Sequence, residues 1–216
     1  MPGTGTCSLS DTITLTQHAI DLGCGGVLML PPFYYKDLSD EGLFRYFAEV
    51  VDEIADENLR IYLYHIPQVA GVGFSIELIE RLRREFPDTI LGIKDSSGDW
   101  SNMQAILERF PGFELFSGNE RFLLACLRGG GAGTISAAAN VNGAMMRQLF
   151  EAWQSDGADE MQTNVSALRE ALQPFPMIPV MKALIAHFRG DPAWAVLRVP
   201  NLALDPERAA EAVRAL

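Results

Sequence analysis

Lysine is scarce in this chain. Among 216 residues and 17 basic side chains, only Lys36, Lys94 and Lys182 are lysines, so each position can be read on its own. Cysteine is as rare: Cys7, Cys24 and Cys126 are odd in number and unclustered, which argues against a disulfide framework or a zinc site. The three histidines, His18, His65 and His187, are too scattered to suggest a metal triad. Basic charge is also short. Against 28 acidic residues it leaves a formal charge of −11, which repels phosphate backbones and anionic lipid and disfavours nucleic acid as a partner. No apolar run approaches the length of a membrane span, and the N-terminus lacks the basic, apolar, small-residue order of a secretory signal. The expectation is a cytoplasmic protein with no membrane or nucleic-acid partner.

What is present is a hydrophobic content of 48%, enough for a sizeable core. Short β-rich apolar runs recur at Gly26–Leu30, Arg60–Tyr64, Ile90–Lys94, Phe113–Phe116 and Gly133–Ser136. Helically spaced segments surround them at Asp11–Leu22, Asp40–Ala55, Ser75–Glu85, Ser101–Arg109, Glu120–Leu127 and Val141–Gln154, several opened by a capping Ser, Asp or Asn. This is the βα alternation of a parallel sheet. After the fifth run the alternation stops, and Ala158–Leu172, Ile178–Phe188 and Pro206–Leu216 read as helices only, with prolines at the joins. The predicted organisation is an α/β unit over 1–156 followed by a helical extension over 157–216.

Five parallel units permit an open doubly wound sheet or part of an eight-stranded barrel. A dinucleotide site needs its glycines after a strand and before a helix, whereas Gly129, Gly130, Gly131 and Gly133 come after a helix and before a strand. Pyrophosphate binding is therefore disfavoured.

Lys94 closes the run Leu91-Gly92-Ile93-Lys94, where period-2 geometry aims its amine at the C-terminal mouth of a buried parallel strand. A poorly solvated ammonium is costly, and the neutral amine is the form that attacks carbonyls. A lysine paired with Asp95, or one reaching water from the strand end, fits the same position. Tyr64 ends the preceding run in the same way. Neighbouring parallel strands lie about 4.8 Å apart, so two inward side chains at their C-terminal ends can share one substrate. A phenol beside an amine suits chemistry that moves protons at each step, although for the position taken alone a barrel-filling Tyr is the more common case.

Tyr64-His65-Ile66-Pro67 followed by Gly92-Ile93-Lys94-Asp95 resembles the dihydrodipicolinate synthase and N-acetylneuraminate lyase superfamily. Further segments match in order: Gly3-Thr4-Gly5, Pro31-Pro32-Phe33-Tyr34-Tyr35, Ser117-Gly118-Asn119-Glu120, Gly133-Thr134-Ile135-Ser136 with Asn140, and Ile178-Pro179-Val180 with Lys182. The resemblance implies an α/β fold of the (β/α)8 barrel type, of which this chain carries about strands four to eight plus the helical extension. It implies a class I aldolase or lyase in which Lys94 forms a Schiff base with pyruvate or another 2-oxo acid and Tyr64 relays protons. No cofactor is implied beyond that covalent imine. Gly118, Asn119, Glu120, Ile135 and Ser136 become expected substrate contacts. Tyr34, with Tyr35, becomes a second phenol lent across a dimer interface, an ordinary aromatic core being the other reading. A homodimer or homotetramer is expected.

Two departures stand out. The Gly-Thr-Thr-Gly-Glu-like turn that holds the pyruvate carboxylate in this superfamily is missing, so the expectation is that Met1 is internal to a longer reading frame. Synthases that make dihydrodipicolinate resemble Tyr-Asn-Val-Pro-Ser-Arg-Thr-Gly where this chain reads Tyr64-His65-Ile66-Pro67-Gln68-Val69-Ala70-Gly71. Val69 cannot pair with a carboxylate as arginine does. The alternatives are 4-hydroxy-tetrahydrodipicolinate synthase itself, using aspartate semialdehyde, and a non-catalytic remnant.

Overall fold

The computed structural model describes residues 1–215. By contacts the chain divides into two compact units, Met1–Gly118 with Gly129–Ala132, and Asn119–Arg128 with the chain from Gly133 onward.

The first unit runs α1 (Leu9–Asp21), β1 (Val27–Met29), α2 (Asp40–Ile54), β2 (Ile61–His65), α3 (Pro67–Ala70), α4 (Ile76–Glu85), β3 (Ile90–Asp95), α5 (Trp100–Arg109) and β4 (Glu114–Ser117). Its strands pair in parallel and in chain order, with Leu28 beside Tyr62, Tyr64 beside Lys94, and Lys94 beside Phe116. Such consecutive order is that of a barrel wall; a doubly wound sheet reverses direction part-way. Before β1, the Pro2–Thr4 stretch lies alongside it: the Leu28 amide donates to the Pro2 carbonyl (2.8 Å) and the Thr4 amide to the Leu28 carbonyl (3.0 Å). Gly5 follows because a Cβ there would sit 2.3 Å from the Leu30 nitrogen.

Side chains alternate between the two faces of the sheet. On the helix-covered face, Ile61, Leu63, Ile93 and Leu115 are fully buried. The helices meet them with single apolar stripes, as in α2, where Leu43, Phe47, Val50 and Ile54 recur at three- and four-residue spacing. The predicted caps are partly as expected. Ser75 Oγ accepts from the Leu78 amide (3.0 Å) and opens α4. In α1 the cap is Ser8, which accepts from Asp11 (3.2 Å), so the helix starts earlier than the Asp11 expected from the sequence.

The other face carries Tyr62 and Tyr64 from β2, Gly92 and Lys94 from β3, and Glu114 and Phe116 from β4. Tyr62 lies across its neighbours because glycine stands on both sides, Gly26 just before β1 and Gly92 on β3: a Cβ at Gly26 would be 2.8 Å from its ring, and one at Gly92 2.7 Å. Its hydroxyl donates to Glu114 Oε2 (2.7 Å). Burial first, and then this bond to a carboxylate, push the Tyr62 phenol up to about 12 from its ordinary 10.0. The folded state holds this proton more tightly, so the stability linked to it is complete below pH 10 and is lost as pH rises through about 12. In an ultraviolet titration, Glu114→Gln should move this ionisation part of the way back toward 10.0, since burial remains.

The second unit contains a 3-10 turn (Glu120–Phe122), α6 (Leu123–Arg128), β5 (Gly133–Thr134), α7 (Ala139–Ala152), α8 (Ala158–Leu172), α9 (Met177–Arg189) and α10 (Pro206–Arg214). The single helix expected over Glu120–Leu127 is thus divided. Asn119 Oδ1 accepts from the Arg121 amide (3.0 Å) and tightens the first turn. The last residue of the expected Pro206–Leu216 helix lies outside the described residues. Two apolar clusters hold this unit, one around Leu124, Met146, Leu149 and Val165, the other around Leu172, Val180, Leu184 and Ala212.

Candidate active site

Lys94 and Tyr64 are brought together. They are direct cross-strand partners at the C-terminal ends of β3 and β2, and Lys94 Nζ donates to the Tyr64 hydroxyl at 3.1 Å. The ammonium nitrogen also stands 4.1 Å from the centre of the Tyr64 ring. Both side chains are half-buried. Phe116 is the partner of Lys94 on the next strand, and its ring meets the Tyr62 ring edge-on at 5.9 Å.

Asp95 does not serve as the lysine's counter-ion. One residue along the strand, it faces the helices and is fully buried. Its Oδ1 accepts from the Ser97 amide (2.8 Å) and hydroxyl (2.6 Å), and Oδ2 accepts from Asn102 Nδ2 (2.7 Å). These bonds satisfy a buried carboxylate without a cation. They also fasten the turn that follows Lys94 to α5. Gly118 stacks its backbone on this turn. Its amide donates to the Asp95 carbonyl (2.6 Å), and a Cβ would sit 2.0 Å from Ser96 Oγ.

The remaining expected contacts are placed as follows. Tyr34 and Tyr35 are 75% and 72% exposed and meet edge-on at 5.2 Å, which rules out the aromatic-core reading. Their loop is tied down by Lys36, whose ammonium donates to the Phe33 and Ala70 carbonyls. That clamp had no sequence signal beyond the rarity of lysine. In the second unit, Ser136 Oγ donates to Glu120 Oε2. Glu120 is fully buried, and its Oε1 has no hydrogen-bond partner. Asn119 is engaged in capping, and Ile135 is half-buried just beyond β5. Val69 is 74% exposed in the one-turn helix α3, which the sequence reading did not predict.

Among the described residues, no three His, Cys, Asp or Glu side chains gather as a metal site, and no helix is long and apolar enough to cross a membrane.

The model of the dihydrodipicolinate synthetase family matches residues 1–216. The chain belongs to this family. A DapA-like lyase of Chloroflexus aurantiacus is 36% identical over 209 residues, 96% of this chain and 69% of that protein. A 4-hydroxy-tetrahydrodipicolinate synthase of Thermus thermophilus is 36% identical over 189 residues, 84% of this chain and 62% of that enzyme. The chain thus spans somewhat under two thirds of the length of that synthase. YagE of E. coli K12, a prophage protein of the same family solved in complex with pyruvate, matches with a TM-score of 0.87 at 28% identity, covering 97% of this chain and 71% of that one. The superfamily resemblance, the α/β fold and the lyase class expected from the sequence all agree with these relatives.

Proposed function

We propose that this protein is a Schiff-base-forming lyase of the class I aldolase type that cleaves or condenses a 2-oxo acid such as pyruvate. The observation that carries the reading is the 3.1 Å approach of Lys94 Nζ to the Tyr64 hydroxyl at the mouth of a parallel sheet. The neutral amine adds to the ketone carbon, and the Tyr64 phenol passes a proton to the resulting alkoxide. Loss of water, again with proton relay through the phenol, leaves an iminium. During cleavage that cation takes up the electron pair of the bond between its α and β carbons as the β-hydroxyl gives up its proton to a base, so that an aldehyde leaves and the enamine remains. During condensation the enamine returns the pair to an aldehyde carbon, whose oxygen is protonated. Water then releases the product and restores the amine. The imine is made from the substrate itself, so no cofactor enters the scheme.

In this reading the five strands are strands four to eight of a (β/α)8 barrel, with residues 157–216 as its helical extension. By family resemblance, Gly118, Asn119, Glu120, Ile135 and Ser136 contact substrate, and Tyr34 supplies a second phenol to a partner subunit in a dimer or tetramer. A cytoplasmic location accompanies this reading. The test is incubation with pyruvate and borohydride followed by peptide mass mapping. A reduced adduct at Lys94 is expected, and its absence at saturating pyruvate sinks the proposal.

Val69 favours a substrate other than aspartate semialdehyde, because the exposed α3 turn offers an isopropyl group where the synthases offer arginine. Val69→Arg should raise condensation with aspartate semialdehyde by about 10- to 100-fold, the equivalent of one charge-assisted hydrogen bond. Steady-state assays of the cyclised product check this.

A further inference from the structure

His65 follows Tyr64 on β2 but points to the opposite face, where it is 8% exposed. Its Nδ1 accepts a hydrogen bond from the Phe74 amide at 3.1 Å. A nitrogen that accepts carries no proton, so the imidazole is neutral with its hydrogen on Nε2. This bond closes the C-terminal end of the loop of residues 66–74, which contains α3 and Val69, back onto the strand that presents Tyr64; the middle of the loop is held separately by the Lys36 ammonium on the Ala70 carbonyl (2.7 Å) and by Gln68 Nε2 on the Ser96 carbonyl (2.6 Å). The closure is tight. A Cβ at Gly73 would come within 2.8 Å of His65 Cε1, and Phe74 is buried against His65 on one side and Phe47 on the other. The His65 carbonyl is engaged as well, accepting from the Ser96 amide (2.8 Å) in the turn after Lys94.

From this geometry we propose that His65 is a positioning residue for the Lys94–Tyr64 pair, and that protonating it at Nδ1 unlatches the 66–74 loop and disables the pair in acid. Once protonated, both ring nitrogens are donors, and Nδ1 then faces the Phe74 N–H donor to donor. The bond is lost rather than weakened, and a buried amide is left without an acceptor. Among the groups facing the ring, Asp95 on β3 is its cross-strand partner and favours the cation. The returning stretch Gly71-Val72-Gly73-Phe74 holds no titratable group. Beyond it, Asp40 of α2 accepts from Ser75 Oγ. Burial outweighs Asp95 and holds His65 below its ordinary 6.5. The folded state therefore binds fewer protons than the unfolded state, so the latch is complete above pH 6.5 and is lost as pH falls below it.

The inference builds on the Schiff-base reading, and the experiment separates the two. Reductive trapping of pyruvate with cyanoborohydride, which survives in mild acid, and amide hydrogen exchange are followed together between about pH 7 and pH 5. They are measured in the wild type, in His65→Asn and in Gly73→Ala. Asparagine places an acceptor oxygen where Nδ1 stands but does not titrate. The wild type should lose protection at the Phe74 amide by about tenfold over this range, whereas His65→Asn should keep it within about twofold. Because imine formation needs a neutral amine and slows in acid in every variant, trapping is read as the ratio of wild type to His65→Asn at each pH, and that ratio should fall severalfold across the range. Gly73→Ala, which wedges the ring away, should show the unlatched behaviour already at neutral pH. If Phe74 protection in the wild type is indifferent to pH, if His65→Asn loses that protection in step with the wild type, or if the trapping ratio of wild type to His65→Asn does not fall in acid, the proposal is overturned. No trapping at any pH, with Phe74 protection still lost in acid in the wild type alone, overturns the Schiff-base reading and leaves the latch standing as a structural device.

Discussion

Lys94→Arg should abolish the borohydride-trapped pyruvate adduct and lower turnover by about 10³-fold or more, because a guanidinium keeps its proton and cannot add to a ketone. Arginine is the informative replacement. It preserves a cation over the Tyr64 ring, where the lysine nitrogen now lies 4.1 Å from the centroid, so electrostatics and packing change less than with alanine. The fold should survive, since Lys94 is half-buried and makes no ion pair with Asp95, whose oxygens are bonded to Ser97 and Asn102. Circular dichroism and a denaturant midpoint close to the wild type would attribute the loss to chemistry. A variant that still traps pyruvate at the wild-type rate would place the reactive amine elsewhere, and Lys36 and Lys182 are the only other lysines.

Tyr64→Phe should separate two properties that Lys94 variants remove together. The amine remains and the phenyl ring keeps most of its packing, but the hydroxyl 3.1 Å from Nζ is gone. Proton transfer by a positioned group contributes about 10²- to 10⁴-fold, so kcat should fall by that order with little change in KM. Slow trapping at Lys94 should persist, because water can carry the proton at lower efficiency. Stopped assays of turnover, set beside adduct formation over hours, check both halves. An unchanged kcat would remove Tyr64 from the relay and reduce it to a side chain filling the sheet face.

Much of this was legible from period and punctuation. Lys94 and Tyr64 were readable because each ends a short apolar run, and in a parallel sheet the strand end and the alternation together fix where a side chain points. The start of α4 was readable from Ser75, whose hydroxyl accepts a helix amide, and α2 begins at the expected Asp40, capped by Ser39 just before it. Features set by long-range contact were not. Nothing local says that Lys36 will reach the Ala70 carbonyl, 34 residues away. The exposure of Tyr34 and Tyr35 was hidden for the same reason, since aromatic composition speaks for burial and only the tertiary path of the loop decides it. The one-turn helix α3 is too short for any periodicity to register.

The glycines on either side of Tyr62 carry a lesson for anyone reshaping the sheet face around Lys94. The ring rests where side chains from positions 26 and 92 would otherwise project. Space beneath Lys94 is therefore already spoken for by one aromatic plank, and decorating either glycine would displace that plank. Room must be sought by trimming Tyr62 itself, at the cost of freeing the carboxylate it now anchors.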